Sequence, residues 1–252
     1  MNKTKIEWCD ATWNPVTGCL HGCEYCYAAR IAHRFGLGWD VFYDEKIFVL
    51  NEPSKSRRSE HKPKRIEPFP YGFAPTFHRY RLDEPQHWKK PRTIFVCSMA
   101  DLFGEWVPDE WIEAVFSVCK EAPQHRYLFL TKNPARYVKL AIDGKLPAAE
   151  NMWYGTTTTT PEKQFFFHEA INTFVSVEPM QADFGEKFDG TMFPRWVIIG
   201  AETGNRSRKI TPRREWIETL TRTAEEHGAA VFMKDSLIPV VGEENMRREF
   251  PW

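Results

Sequence analysis

A chain of 252 residues that is 42% hydrophobic, 15% aromatic and 27% charged has material for one large core or two small ones, which excludes a disordered tail or a fibre. Lys+Arg and Asp+Glu balance at 34 each, yet residues 55–92 hold eleven basic against four acidic side chains, so the neutrality hides a local basic excess. The amino terminus, Met1-Asn2-Lys3-Thr4-Lys5, has no apolar signal core and no stretch approaches a membrane span, so a cytoplasmic protein without a membrane partner is expected.

In chain order, short apolar runs alternate with amphipathic stretches, the pattern of a parallel α/β fold. A strand is expected over 11–17. Residues 37–91, rich in Pro, Lys, Arg and aromatics but without sustained periodicity, read as an irregular basic insertion after the first helix. Strands are expected over 93–98 and 127–131, with a helix between them. Pro108-Asp109-Glu110 opens that helix, and Ile112, Val115, Phe116 and Cys119 fall on one of its faces. Further strands are expected over 152–157, 173–178, 196–200 and 230–234. One helix is expected to follow Thr160-Pro161-Glu162. Another is expected to start with Thr211 as N-cap and Pro212 at its first position, to bury Ile217, Leu220 and Ala224, and to stop at Gly228. The whole chain, 1–252, reads as a single domain.

Three of the six cysteines crowd into Gly18-Cys19-Leu20-His21-Gly22-Cys23-Glu24-Tyr25-Cys26-Tyr27, a C-x3-C-x2-C spacing. One turning loop can aim Cys19, Cys23 and Cys26 at a single [4Fe–4S] cube, and Gly18 and Gly22 let the loop turn tightly. A fully ligated cube takes four thiolates; three leave one iron open to chelate the amino and carboxylate groups of a methionine moiety. A zinc site would favour paired C-x2-C knuckles with a second pair downstream. These are absent unless His21 or a distant histidine joins. Cys97, in an apolar strand, and Cys119, on a buried helix face, read as core residues, and Cys9 is ambiguous.

The spacing, the aromatic residue after the last cysteine and the helix that follows resemble the radical S-adenosylmethionine (SAM) superfamily. Beyond the loop, the chain is similar to a phage- and prophage-associated family of uncharacterised radical-SAM-like proteins. The similarity runs through Trp13-Asn14-Pro15-Val16-Thr17-Gly18-Cys19, Tyr71-Gly72-Phe73, Leu82-Asp83-Glu84-Pro85, Phe95 to Phe103, Leu130-Thr131-Lys132 and Ser176-Val177-Glu178-Pro179. The resemblance implies a partial TIM-type (β/α)6-7 barrel of parallel strands, with [4Fe–4S] and SAM held at its carboxyl-terminal mouth.

Carried over residue by residue, the resemblance sets Ser98 and Asp101 where the superfamily keeps a Gly-Gly-Glu element for the methionine amine. Ser-Met-Ala-Asp departs from that pattern, since it offers a shorter carboxylate. Tyr27 is implied to contact adenine, with loop packing as its other reading. Glu178 and Glu202 end two strands and are implied to hold a ribose hydroxyl or a substrate amine, or else to pair with Lys132, Lys234 or an arginine. Thr156, with Thr157 and Thr158, offers hydroxyls and amides near ribose or substrate; strand propensity and N-capping are the alternative.

In the insertion, Phe69, Tyr71, Phe73, Phe77, His78, Tyr80 and Trp88 interleave with Lys and Arg. They form either a surface for stacking bases along a phosphate backbone or, on the favoured reading, a solvated face. The leading expectation is an enzyme that reductively cleaves SAM to a 5′-deoxyadenosyl radical, acting on nucleic acid or a nucleotide and fed by a donor such as a flavodoxin or ferredoxin. The alternatives are a non-catalytic iron–sulfur nucleic-acid-binding protein and a structural zinc protein.

Overall fold

The computed structural model describes residues 4–36, 47–55, 66–185, 192–203 and 210–252. The first half of the chain forms β1 (Ala11–Trp13), β2 (Val16–Thr17), α1 (Tyr27–Phe35), β3 (Phe48–Leu50), β4 (Thr76–His78), β5 (Thr93–Val96), α2 (Asp109–Glu121) and β6 (Arg126–Thr131). The second half forms α3 (Pro134–Ile142), β7 (Met152–Thr158), β8 (Asn172–Val177), β9 (Trp196–Ile199), α4 (Arg214–Glu226), β10 (Ala230–Met233) and α5 (Ile238–Val241). Seven strands make a parallel sheet in the order β1-β5-β6-β7-β8-β9-β10, and β2, β4 and β3 make a small second sheet. The expected α/β class, a partial TIM-type barrel of parallel strands, is the fold observed. The chain divides into two compact units, residues 9–127 and residues 128–252, the latter also taking in residues 6–8. Among the described residues no helix is long and apolar enough to cross a membrane.

In the first unit β1 pairs with β5 in the register Ala11↔Ile94, Thr12↔Phe95, Trp13↔Val96. The strand expected over 11–17 is two strands in two sheets. Pro15 has no N–H to give a ladder, so the chain turns there. Its carbonyl accepts the His78 N–H at 2.7 Å, which starts the antiparallel pairing of β2 with β4. Helix α2 forms as its sequence dictates: Asp109 and Glu110 occupy the positive first turn, and Ile112, Val115, Phe116 and Cys119 are buried. In the insertion, residues 37–46 and 56–65, which carry much of its basic charge, lie outside the described residues. The remainder is more regular than expected. It supplies β3, β4 and 3-10 turns at Arg79–Arg81 and Glu84–His87, elements too short to leave a periodic signal. Its rings are committed to packing. Phe77 stacks on Trp111 with centroids 5.1 Å apart, Phe48 on Tyr71 at 3.9 Å, and Phe69 and His78 are buried.

In the second unit the registers Thr157↔Ser176, Ser176↔Ile198 and Phe232↔Ile198 sort the side chains into two faces. Val175, Val177, Val197, Ile199, Val231 and Met233 pack with Ile217, Leu220 and Ala224 of α4. The opposite face carries Gly155, Thr157, Phe174, Ser176, Trp196, Ile198 and Phe232, and its amino-terminal end is filled by rings. Trp196 lies 6.2 Å from Trp8, 5.4 Å from Phe174 and 6.4 Å from Phe232, centroid to centroid. Gly155 makes room for the Phe174 ring, which a Cβ at that position would overlap. Gly155→Ala is therefore expected to destabilise the protein by about 1–3 kcal/mol, through overpacking, as measured by urea denaturation.

Two helix expectations are corrected. No helix follows Thr160-Pro161-Glu162: residues 161–171 are turns and irregular chain. Phe165 and Phe166 both pack inward, and the Phe166 N–H is taken by Thr156 Oγ1 at 3.0 Å, which withdraws it from a helical ladder. Helix α4 begins at Arg214 with Arg213 as an N-cap that makes no side-chain bond, so Thr211 is not the cap and Pro212 is not the first helical residue. Pro212 is buried in the connection, where packing takes precedence over its preference for the first turn. Ile217, Leu220 and Ala224 are buried as expected, and Gly228 (φ +67°) follows the helix end.

Candidate active site

In the first unit the cysteine loop is anchored at both ends. Gly18 adopts φ +88°, donates its N–H to Met99 O at 2.9 Å, and leaves room for the Ala74 carbonyl, which a Cβ would overlap. Cys19 N–H is held by Phe73 O at 3.1 Å. At the far end Cys26 is the N-cap of α1, its Sγ accepting the Ala29 N–H at 3.4 Å, while its own N–H goes back to Cys23 O at 3.0 Å. Burial pushes the Cys19 thiol up to about 12, opposed by a backbone hydrogen bond from His21 and reinforced by Asp101, Cys26 and Cys23. The three sulfurs and one carboxylate thus share one electrostatic neighbourhood.

All six cysteines are free thiols, and among the described residues no three His, Cys, Asp or Glu side chains stand close enough together to hold one metal ion. A cubane spreads its thiolates over separate irons, so it needs a wider array than a single ion does. The donor set fits such a cube in chemistry: three sulfurs on one loop, pinned at its ends and turning through two left-handed glycines. Iron would deprotonate Cys19 outright despite its raised value.

The turn after β5 supports this loop. Asn14 Oδ1 accepts from Met99 N–H at 2.9 Å and from Ser98 Oγ at 3.2 Å, and Tyr27 OH donates to Ser98 O at 2.6 Å. Cys97 sits at φ +58°, its N–H bonded to Trp13 O at 2.8 Å, and is buried like Cys119, as expected of core thiols. Asp101 is buried and already engaged: Oδ2 meets His21 Nε2 at 2.8 Å and Oδ1 accepts the Phe103 N–H at 3.0 Å. The His21 ring stands edge-on to Trp106, with centroids 4.9 Å apart. The sequence did not reveal the roles of Asn14 and Trp106. Asn14 reaches partners 84 and 85 positions away, beyond any local pattern, and Asn-Pro in the Trp13-Asn14-Pro15 run is the nearest thing to a signal.

A polar chain runs beneath the loop. Arg81 Nη2 donates to Tyr80 OH at 3.0 Å, which lies 3.3 Å from His78 Nδ1, and His78 Nε2 lies 2.8 Å from Thr17 Oγ1. With Tyr80 donating to Nδ1, the neutral ring donates from Nε2 to Thr17, one residue before Gly18. Burial, assisted by the Arg81 guanidinium, lowers His78 to about 3. The unfolded chain takes up this proton near pH 6.5 whereas the folded chain holds off until about 3. This contribution to stability is therefore complete above pH 6.5 and is lost as pH falls toward 3. The thermal midpoint is expected to drop between pH 7 and 4, and less steeply in His78→Gln.

In the second unit the carboxyl ends of β8, β9 and β10 carry Glu178, Gly200 and Lys234. Glu178 Oε1 and Lys234 Nζ form an ion pair that is part-buried, with side-chain exposures of 28% and 20%. A Cβ on Gly200 would stand 3.1 Å from Lys234 Cδ and 3.3 Å from Glu178 Cδ, so a side chain there would push the pair aside by a few tenths of an ångström. Glu178 continues the β8 face that holds Ser176, whose hydroxyl is buried without a hydrogen-bond partner. Thr156 falls elsewhere: it is fully buried, its hydroxyl is bonded to Phe166 N–H, and strand alternation sets Thr157 on the Ser176 face instead. Glu202 lies buried just past β9.

The family model described as "Protein of unknown function (DUF5131)" matches residues 3–237. No curated protein matches the chain. A solved structure of spore photoproduct lyase complexed with dinucleoside spore photoproduct is similar over 92% of this chain and 79% of that one, with a TM-score of 0.57 and 10% identity. At that identity the likeness is one of fold.

Proposed function

We infer, from the premise that the chain belongs to the DUF5131 family of proteins of unknown function, that it is a radical SAM enzyme acting on a nucleotide or nucleic acid. The observation that carries this reading is the anchored C-x3-C-x2-C loop, whose Cys19 thiol is electrostatically coupled to Cys23 and Cys26. Cys19, Cys23 and Cys26 would hold a [4Fe–4S] cluster there, and the cluster would supply the single electron that reductive cleavage of SAM requires. The substrate class rests on the fold shared with a lyase solved with a dinucleoside photoproduct.

The chain's own residues hold and orient. Cys19, Cys23 and Cys26 are the ligands. Asn14 fixes the Ser98–Met99 turn and Tyr27 ties the start of α1 to it, so that the turn is set for the methionine end of SAM. Asp101 acts chiefly by holding His21 against Trp106 at the crest of the loop, since both its oxygens are engaged. In the second unit Glu178, paired with Lys234, is assigned to a ribose or substrate hydroxyl, with Thr157 and Ser176 on the same face, and Glu202 is a second carboxylate at the strand ends. Free thiols and an air-sensitive cluster suit a reducing cytoplasm.

The test is anaerobic reconstitution with iron and sulfide, reduction by dithionite, addition of SAM, and measurement of 5′-deoxyadenosine alongside the EPR spectrum. Deoxyadenosine together with a SAM-dependent spectrum supports the reading. A cluster whose spectrum ignores SAM and yields no product points instead to a non-catalytic iron–sulfur binding protein.

A further inference from the structure

Helix α1 buries only its small residues. Ala28 and Ala32 face inward, while Tyr27, Ile31 and Phe35, spaced by four, are 45%, 38% and 57% exposed, and Leu20 in the cysteine loop is 49% exposed. A solvated helix face would carry polar residues at 31 and 35. Around this stripe Arg30 and Arg34 are exposed, and the Arg34 guanidinium lies 5.3 Å over the Phe35 ring, so charge and apolar area are presented together. A stripe of exposed apolar side chains flanked by two arginines has the composition of a protein-docking surface.

We propose that this face of α1 docks an acidic one-electron carrier protein of the flavodoxin or ferredoxin type. The proposal rests on the reaction inferred above, which needs an electron from outside. Charge complementarity selects the occupant: Arg30 and Arg34 flank the stripe, and the helix contains no Asp or Glu. Position gives the contact its use, because α1 begins on the ligand Cys26 and Leu20 adjoins the ligand Cys19 in sequence. Each encounter passes one electron and no atoms: the carrier is oxidised by one electron and the cluster site is reduced by one. A nucleic acid would call for a row of cations tracking its phosphates, whereas here two arginines border exposed Ile31 and Phe35.

The experiment compares wild type, Ile31→Glu/Phe35→Glu and Arg30→Glu/Arg34→Glu in the full reconstituted chain, reading 5′-deoxyadenosine under two reductants. One is dithionite; the other is a bacterial flavodoxin kept reduced by NADPH and its reductase, with reduced ferredoxin as a second carrier. The expected result is dithionite-driven activity within about twofold of wild type and carrier-driven activity lower by about tenfold or more. Carrier-driven wild-type activity is also expected to fall with added salt, and Arg30→Lys/Arg34→Lys to restore most of it. Equal losses under both reductants, no loss under either, or a wild type that responds to dithionite but to neither carrier would overturn the proposal. So would variants that keep carrier-driven activity but lose retention of a single-stranded oligonucleotide, which would make the face a nucleic-acid surface. A wild type that yields no product even with dithionite sinks the underlying reaction itself, a distinguishable failure.

Discussion

Replacing Cys23 by alanine is expected to take 5′-deoxyadenosine formation down to the level of a protein-free blank while leaving thermal unfolding close to wild type. Of the three proposed ligands, Cys23 has the smallest structural stake. It is half-exposed, whereas Cys26 caps α1 and burial pushes the Cys19 thiol up. Two thiolates cannot hold the cube in place of three, so iron per chain should fall together with activity. Cys119→Ala is the contrasting variant. Its thiol is buried on α2 and is not among the proposed ligands, so the change should cost about 1 kcal/mol of stability and leave product formation intact. Iron analysis, product chromatography and a melting curve on both proteins decide the matter; SAM cleavage surviving in the Cys23 variant would remove the loop as the ligand set.

Gly18→Ala should be the most destabilising change in the loop, by about 3–5 kcal/mol. The φ of +88° costs a residue with a Cβ roughly 1–3 kcal/mol, and here the Cβ also meets the backbone carbonyl of Ala74, which no rotamer change can move aside. Relief would have to come from the Gly18–Met99 and Cys19–Phe73 hydrogen bonds, so cluster loading should fail along with stability. Gly22→Ala isolates the backbone contribution. Gly22 has φ +66° but nothing within 4 Å of a Cβ, and its loss should be about 1–2 kcal/mol. Urea denaturation of the two variants measures the difference. Equal losses would mean that Ala74 yields.

The strands of the second unit were legible because each is a short apolar run that the sheet buries on both faces, as in Trp196–Ile199. The helices were legible where one stripe was buried, as for Ile112, Val115, Phe116 and Cys119. What failed was local grammar overruled by packing. Thr160-Pro161-Glu162 looked like a helix start, but the phenylalanines that follow are drawn inward; Thr211-Pro212 looked like a cap, but buried Pro212 stays outside the helix. In the candidate site, the C-x3-C-x2-C spacing marked out the loop that the fold anchors at both ends, and Lys234 was among the partners foreseen for Glu178. The threonine run was ambiguous because strand alternation, invisible without register, decides that Thr157 and not Thr156 shares the face of Ser176. Contacts that join residues 80 or more positions apart, such as His21 with Asp101, leave no imprint on neighbouring sequence.

At the junction of loop and helix, two demands compete for one atom. The sulfur of Cys26 reaches the Ala29 N–H across 3.4 Å, a long and soft bond, where a serine oxygen would make a shorter and stronger cap. On helix energetics alone, Cys26→Ser is an improvement, and it is the kind of substitution a stability screen would reward. The cluster proposed for the loop is a requirement outside the helix that would hold cysteine at this position. Efforts to harden this protein by idealising its helix ends would therefore erase a proposed ligand first, while every measure of folding reported progress.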